Sequence, residues 1–196
     1  MDSLTNASFM DSPTNGSPPD GCYRIANMVH DGAMFTSKKW FGARGDYAVG
    51  LSTVDKEGTD GQPVECTGKW RWLLERQPDA TYKIASAQVG GALCASQRTL
   101  SDREGYHVAL SPEDKEEEEG GIGKWRWSIQ HSLGDVYKIE NVGGAGVLGC
   151  TGAQFFRSDG DLQVACHPQA LVATNWASMH WRLRCHADYE YVDAGI

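Results

Sequence analysis

Hydrophobic and polar residues alternate in short runs along the chain, and similar runs recur farther on. Trp70, Trp72 and Leu74 fall on one side of an extended chain, while Arg71 falls on the other. The same alternation returns 55 residues later, from Trp125 to Ile129. A period of two over so few residues predicts β-strands, and we find no run of helical period longer than about two turns. The pattern therefore indicates an all-β protein.

Three sequence markers recur at matched distances and define an internal repeat. The markers are Tyr23–Ile25, Tyr82–Ile84 and Tyr137–Ile139; Tyr47–Leu51, Tyr106–Leu110 and Leu162–Cys166; and Lys69–Trp72, Lys124–Trp127 and His180–Leu183. Their offsets are 59 and 55 residues for the first marker, 59 and 56 for the second, and 55 and 56 for the third. The offsets of the third marker align Trp181 with Trp70 and Trp125. A repeat of this length, filled with short strands, predicts a closed array of three units.

Each unit offers four candidate strands, so the chain is predicted to hold twelve. In the second unit they are Thr81–Ser86, Ala92–Gln97, Tyr106–Ser111 and Lys124–Ile129. Three four-stranded units around a pseudo-threefold axis resemble a β-trefoil, whose paired tryptophans would fill the core. A closed barrel of this kind leaves no strand edge open to aggregation.

The resemblance also suggests how the chain is divided. It covers about residues 21–187, with repeats at about 22–76, 80–131 and 135–187. Residues 1–20 are rich in Ser, Asn, Asp and Pro, a composition that predicts a disordered arm. Residues 188–196 are expected to form a C-terminal tail.

Two groups of fungal β-trefoil proteins share the marks of these units, the ricin-B-like lectins and the mycocypin-like protease inhibitors. Both use units that begin Tyr-x-Ile-x-Asn, as Tyr23–Asn27 and Tyr137–Asn141 do, and that end in Trp-x-aliphatic or Trp-x-aromatic. The resemblance to lectins implies binding of glycans or glycoproteins without chemistry. The resemblance to inhibitors implies binding of a cysteine or serine protease through surface loops. Because the shared marks belong to the scaffold, they indicate fold better than activity.

The residues of a ricin-type galactose site are missing from all three units. Such a site uses an Asp early in the second strand, an aromatic residue near the end of the third, and Asn-Gln before the marker Trp. Here the third strands end Gly50-Leu51, Ala109-Leu110 and Ala165-Cys166, and the residues before the marker Trp are Gly68-Lys69, Gly123-Lys124 and Met179-His180. A lectin with this sequence must therefore use a non-standard site.

Two tryptophans outside the scaffold pattern are the candidates for that site. Sugar binding needs an exposed aromatic face beside fixed hydrogen-bonding groups. Trp40 follows Lys39 in a segment predicted to be a loop, and His30, Asp31 and Gly32 in the preceding turn are predicted to lie beside it.

Trp176 follows Asn175 just before the last marker, and these two residues form the second candidate. The alternative for either tryptophan is that it plugs one end of the barrel.

The inhibitor interpretation places its contacts elsewhere. A cysteine protease would contact the loops around His30–Ala33 and Val54–Gln62. A trypsin-like protease would need an exposed basic residue, for which Lys38, Lys39 and Arg44 are candidates.

Charge and composition exclude several classes of partner. The net charge of −8 argues against nucleic acid and against an anionic membrane surface, since both need a basic face. No apolar stretch approaches the roughly 20 residues of a membrane span, and no signal peptide is recognised, so we expect a cytoplasmic protein. The acidic run at residues 113–119 predicts a solvated loop rather than a metal site.

The cysteines and histidines suggest neither a disulfide framework nor an enzyme. Cys166 stands where the other units have Leu51 and Leu110, and Cys185 is matched to Leu74 and Ile129, so buried thiols are expected. The spacing of all six cysteines matches no zinc pattern, and we favour reduced thiols throughout. None of the six histidines sits in a catalytic or metal-binding motif, so no enzymatic activity, metal or cofactor is predicted. The sequence does not indicate an oligomeric state.

Overall fold

A computed structural model of the protein describes residues 16–41, 45–53, 68–100, 105–111, 122–155, 160–169 and 175–185, without the side chains of residues 38–41 and 97. Within these residues the chain forms twelve β-strands. In chain order they are β1 (Gly21–Asn27), β2 (Ala33–Phe41), β3 (Asp46–Ser52), β4 (Arg71–Arg76), β5 (Tyr82–Ser86), β6 (Ala92–Thr99), β7 (Tyr106–Ser111), β8 (Trp127–Leu133), β9 (Val136–Asn141), β10 (Gly146–Gln154), β11 (Asp161–His167) and β12 (His180–Cys185). Two 3₁₀ turns, Ile122–Trp125 and Trp176–Met179, precede β8 and β12.

The strand pairing shows a closed barrel covered by three hairpins. The antiparallel pairs β1–β4, β4–β5, β5–β8, β8–β9, β9–β12 and β12–β1 return to their starting strand and close a six-stranded ring. The hairpins β2–β3, β6–β7 and β10–β11 meet because β3, β7 and β11 also pair with one another. This is the predicted β-trefoil, with its pseudo-threefold axis running through the triangle of β3, β7 and β11.

Three equivalent tryptophans lie at the centre of the core. Each has an exposed fraction of 0% and donates an indole N–H hydrogen bond of 2.9 Å to a carbonyl on the second strand of its own unit. The pairs are Trp72 with Met34, Trp127 with Leu93, and Trp181 with Leu148. Because Trp and Leu bury large apolar areas, these repeated contacts tie the hairpin of each unit to the barrel.

This geometry corrects the predicted alignment of the third unit. Trp181 is equivalent to Trp72 and Trp127, and the residue equivalent to Trp70 and Trp125 is the buried Met179. The register explains the change, since Trp181 lies opposite the last residue of β1, as Trp127 lies opposite the last residue of β9.

Trp70 and Trp125 do not lie on the strands in which the alternation of the sequence placed them. Each lies in a turn before its strand, where the period of two does not apply, and each packs in a small cluster outside the main core. Trp70 contacts the ring of Phe35 at 5.1 Å between centroids. Trp125 packs with Cys94 and neighbouring alanines.

The cysteines follow the prediction in part. Cys166 is fully buried opposite Leu148, as Leu51 is buried opposite Met34, which confirms its equivalence. Burial raises the pKa of the Cys166 thiol. Cys185 is only half-buried, because Leu183 takes the place expected for it.

The expectation of reduced thiols throughout is wrong, because one of the described cysteines is in a disulfide. Cys22 is disulfide-bonded. The described cysteines Cys94, Cys150, Cys166 and Cys185 carry thiols.

The end of the predicted N-terminal arm lies against the barrel. Pro18 and Pro19 accept hydrogen bonds from the hydroxyls of Tyr82 and Tyr23, at 2.7 and 2.9 Å. Because those two tyrosines are buried core residues, these contacts fix the chain just before β1. Residues 1–15 lie outside the described part of the chain.

Candidate binding surface beside the Trp176 turn

The structure separates the residues that were predicted to surround Trp40. His30, Asp31 and Gly32 lie in the turn before β2, whereas the backbone of Trp40 pairs with Tyr47 near the far end of that strand. Trp40 is seven residues along the strand from Ala33, about 23 Å at roughly 3.3 Å per residue. Trp40 and Lys39 are therefore strand residues rather than loop residues, and the predicted group of Trp40 with this turn does not form.

The turn between β1 and β2 is held in one conformation. The backbone N–H of Asn27 donates to the carbonyl of Gly32 at 2.9 Å, and the side-chain oxygen of Asn27 accepts from Val29 at 3.1 Å. Asp31 adopts a left-handed backbone, with φ of 46°. A Cβ on Gly32 would lie 2.4 Å from the carbonyl oxygen of Ser52, so only glycine fits there. We call residues 27–32 the β1–β2 turn.

Barrel closure places this β1–β2 turn against the 3₁₀ turn Trp176–Met179, which we call the Trp176 turn. The side-chain amide of Asn27 donates to the carbonyl of Ser178 at 2.9 Å, and the backbone N–H of Met28 donates to the carbonyl of His180 at 3.1 Å. These two contacts bring the turn that contains His30–Gly32 next to the Trp176 turn, two segments that the sequence could only treat separately.

The indole of Trp176 lies on the surface of this junction. Its exposed fraction is 44%, and its ring stacks on the imidazole of His180 with centroids 4.0 Å apart and planes 24° apart. The Nδ1–H of His180 donates to the Trp176 carbonyl at 2.6 Å, because a carbonyl can only accept. One face of the indole is therefore supported by a buried side chain, and its remaining exposure leaves an aromatic surface toward solvent.

Burial lowers the pKa of His180, so its imidazole is neutral near pH 7. The stacked pair consequently brings no charge to the surface. This residue was missed as a site candidate, since the sequence alignment matched it to Lys69 and Lys124. The signal that would have found it is Trp-x-aliphatic, which occurs at Trp72, Trp127 and Trp181 and puts His180 in the place of Arg71 and Arg126.

The two turns also carry exposed polar side chains. Asn175 is exposed, and its side chain makes no capping hydrogen bond to the turn that follows. Asp31 has 78% of its side chain exposed and lies 3.8 Å from Arg182, which is also 3.9 Å from Asp135. Such exposed ion pairs contribute little to stability, so the Asp31 carboxylate can exchange this contact for one with a ligand.

The other predicted sites lie largely outside the described residues. This applies to the loop Val54–Gln62, to Arg44 and to the acidic run at 113–119, while the side chains of Lys38, Lys39 and Trp40 are likewise not described. Within the described part of the chain, no cluster of three or more His, Cys, Asp or Glu has the arrangement of a metal site. The described part also lacks any helix with the length and hydropathy of a membrane span.

Comparisons with known proteins establish the fold. No protein-family model matches the chain, and neither does any curated protein sequence. A Culex salivary protein of the cysteine- and tryptophan-rich family is similar in structure, with a TM-score of 0.60, 20% identity, and coverage of 88% of this chain and 98% of that one.

Two further solved structures that resemble the chain are β-trefoils, one a designed protein and the other a proteinase inhibitor. The designed threefold-symmetric protein ThreeFoil gives a TM-score of 0.57 at 17% identity, covering 84% of this chain and 98% of its own. A proteinase inhibitor from Coprinopsis cinerea gives 0.55 at 11% identity, covering 86% and 99%. At these identities the likeness extends to the fold alone, which supports a β-trefoil and assigns no activity.

Proposed function

We propose that this protein is a carbohydrate-binding β-trefoil that uses a non-standard site on the Trp176 turn. The observation that carries the proposal is the exposed indole of Trp176, supported from behind by the stacked imidazole of His180. An aromatic ring held in one orientation loses little entropy when a ligand packs against it.

The mechanism is binding without bond making or breaking. The apolar C–H face of a sugar ring packs on the open face of Trp176, while its hydroxyls need hydrogen-bond partners at the edge. The side chains of Asn175 and Asp31, both exposed on the two adjoining turns, would provide a donor and acceptors for these hydroxyls. Because His180 is neutral, the surface favours an uncharged ring over an anionic one.

The expected binding free energy of a single site determines which binding assay is needed. An aromatic contact is worth about 0.5–1.5 kcal/mol beyond the area it buries, so one such site binds a single sugar weakly. Multivalent display raises a weak affinity without new contacts. We therefore expect binding to an array of immobilised glycans by a clustered, tagged form of the full chain.

The decisive variant is Trp176→Ala, tested on every glycan that the unmutated protein binds. We expect Trp176→Ala to abolish the signal and Trp176→Phe to retain a weaker one, because phenylalanine keeps a smaller stacking face. Leu133→Ala is the matched control, since Leu133 is an exposed apolar side chain, 73% accessible, on the hairpin between β8 and β9. All three variants should melt like the parent.

Two results would contradict the proposal. The unmutated protein could bind no glycan on the array, or Trp176→Ala could bind as well as the parent. If Trp40→Ala alone abolishes binding, the site belongs to Trp40 and the Trp176 turn has no part in it.

A second candidate function rests on the rigidity of the β1–β2 turn. Protease inhibition requires an exposed loop that keeps its shape in the enzyme cleft, because ordering a mobile loop lowers affinity. This turn combines a left-handed Asp31, an obligatory Gly32 and a Val29 that is 52% exposed.

Papain and trypsin assays test this alternative on the same preparation. If the turn enters a papain-like cleft, Val29→Asp should remove inhibition and leave glycan binding unchanged. Absence of inhibition by the unmutated protein contradicts it.

A further inference from the structure

A pocket lies where the three hairpins meet, away from the Trp176 turn. Its space amounts to about 440 Å³, including the part open to solvent. Equivalent residues of β3, β7 and β11 line it: the valines Val49, Val108 and Val164, and the residues before them, Ala48, His107 and Gln163. Because these strands pair in a triangle, the pocket lies on the pseudo-threefold axis.

Divergence of the repeats opens this space. The three equivalent positions carry alanine in the first unit, histidine in the second and glutamine in the third. Ala48 is 1% exposed and ends at Cβ, so the first unit places a smaller side chain in this wall than His107 and Gln163 place in the others. Phe155 closes one side of this gap.

One part of the pocket wall is apolar and another part is polar. The three valines and Phe155 are buried and apolar. Opposite Ala48, the side-chain amide nitrogen of Gln163 donates to Nδ1 of His107 at 2.9 Å, which places the imidazole proton on Nε2. Burial, reinforced by the nearby Arg98, lowers the pKa of His107, so this pair is uncharged near pH 7.

Gln163 retains hydrogen-bonding capacity after this contact. Within the described part of the chain, its amide bonds only to His107. The carbonyl oxygen and the second N–H of its amide are therefore available to a ligand.

We propose that this axial pocket binds a neutral, ring-sized molecule with a carboxamide-type edge. Its ring would pack against the valines and Phe155, and its edge would pair with the amide of Gln163. A ligand with a formal charge is disfavoured, since none of the side chains lining the pocket is a carboxylate, an ammonium or a guanidinium. This site shares no residue with the surface around Trp176, so neither proposal depends on the other.

Methyl-resolved NMR on the full chain tests the proposal with three probes of similar shape, benzamide, benzoate and toluene. Millimolar benzamide should shift the methyl signals of Val49, Val108 and Val164. Benzoate should bind more weakly, because its carboxylate would lose solvation and none of the side chains lining the pocket carries a counter-charge.

Two variants separate the polar and apolar parts of the site. Gln163→Ala should weaken benzamide binding about tenfold and leave toluene binding unchanged, because only benzamide uses the amide edge. Ala48→Leu should fill the gap and remove binding of both probes. Since Ala48 is buried and its replacement could disturb folding, the half-exposed Gln163 provides the independent test.

Failure of benzamide to move the three valine signals would overturn the proposal. Equal binding of benzoate and benzamide would also overturn it, as would unchanged benzamide affinity in Gln163→Ala.

Discussion

Replacing the core tryptophans one at a time by phenylalanine would test how the three units correspond. Trp127 and Trp125 form a matched pair, with exposed fractions of 0% and 2%. They differ in hydrogen bonding: the indole of Trp127 donates to the carbonyl of Leu93 at 2.9 Å, whereas the indole nitrogen of Trp125 has no hydrogen-bond partner within the described structure. The same substitution therefore removes a hydrogen bond in one case only.

The expected magnitudes follow from that difference. Shrinking a buried indole to a phenyl ring costs about 1–2 kcal/mol in lost apolar burial at either position. Removing the donor from a buried carbonyl costs a further 1–3 kcal/mol or so. Trp127→Phe should thus lower the free energy of unfolding by about 2–5 kcal/mol, and Trp125→Phe by about 1–2 kcal/mol.

Trp181 determines whether the structural alignment is right. Its indole bonds to Leu148 at 2.9 Å, so Trp181→Phe should resemble Trp127→Phe. Urea unfolding gives these values directly, provided that the slope of free energy against urea stays constant among the variants. The reasoning is refuted if Trp125→Phe and Trp127→Phe lose equal stability, or if Trp181→Phe follows Trp125→Phe.

Two further predictions concern a thiol and a histidine. Because burial raises the pKa of the Cys166 thiol, it should resist a disulfide reagent in the native protein at pH 8, while the half-buried Cys185 reacts; peptide mapping that finds Cys166 modified first would contradict this. Burial lowers the pKa of His180 below its usual 6.5, so below that pH the unfolded chain binds more protons than the folded one. Stability should therefore fall as the pH drops below about 6.5, and His180→Gln should reduce that fall in melting experiments; an unchanged pH profile in this variant would contradict the assignment.

Much of the fold could be predicted from local patterns. The Tyr-x-Ile runs lie on strands, as do Trp72 with Leu74 and Trp127 with Ile129, and such strands show their period of two directly in the sequence. The place of Cys166 was also predictable, since a small apolar side chain replaced Leu51 and Leu110 at a constant offset.

The sequence-based prediction was wrong where the alternating pattern of a strand was extended into the turn before that strand. Trp70 and Trp125 lie in turns before their strands, so matching Trp181 to them shifted the last unit by two residues. Cys22 was also misjudged, because disulfide formation depends on the separation of two residues in space and not on their spacing in the chain.

The all-β class, the three units and the apolar residues of the core can be read from the sequence, because they depend on alternation and repetition within short segments. The candidate site depends instead on contacts between distant parts of the chain. Asn27 and Ser178 are far apart in the chain and form a hydrogen bond because β1 pairs with β12, which closes the barrel and brings the two turns together. The axial pocket likewise needs β3, β7 and β11 side by side before the difference between Ala48, His107 and Gln163 becomes a space. Pairing of distant strands is set by the whole packed core, so no local pattern encodes either site.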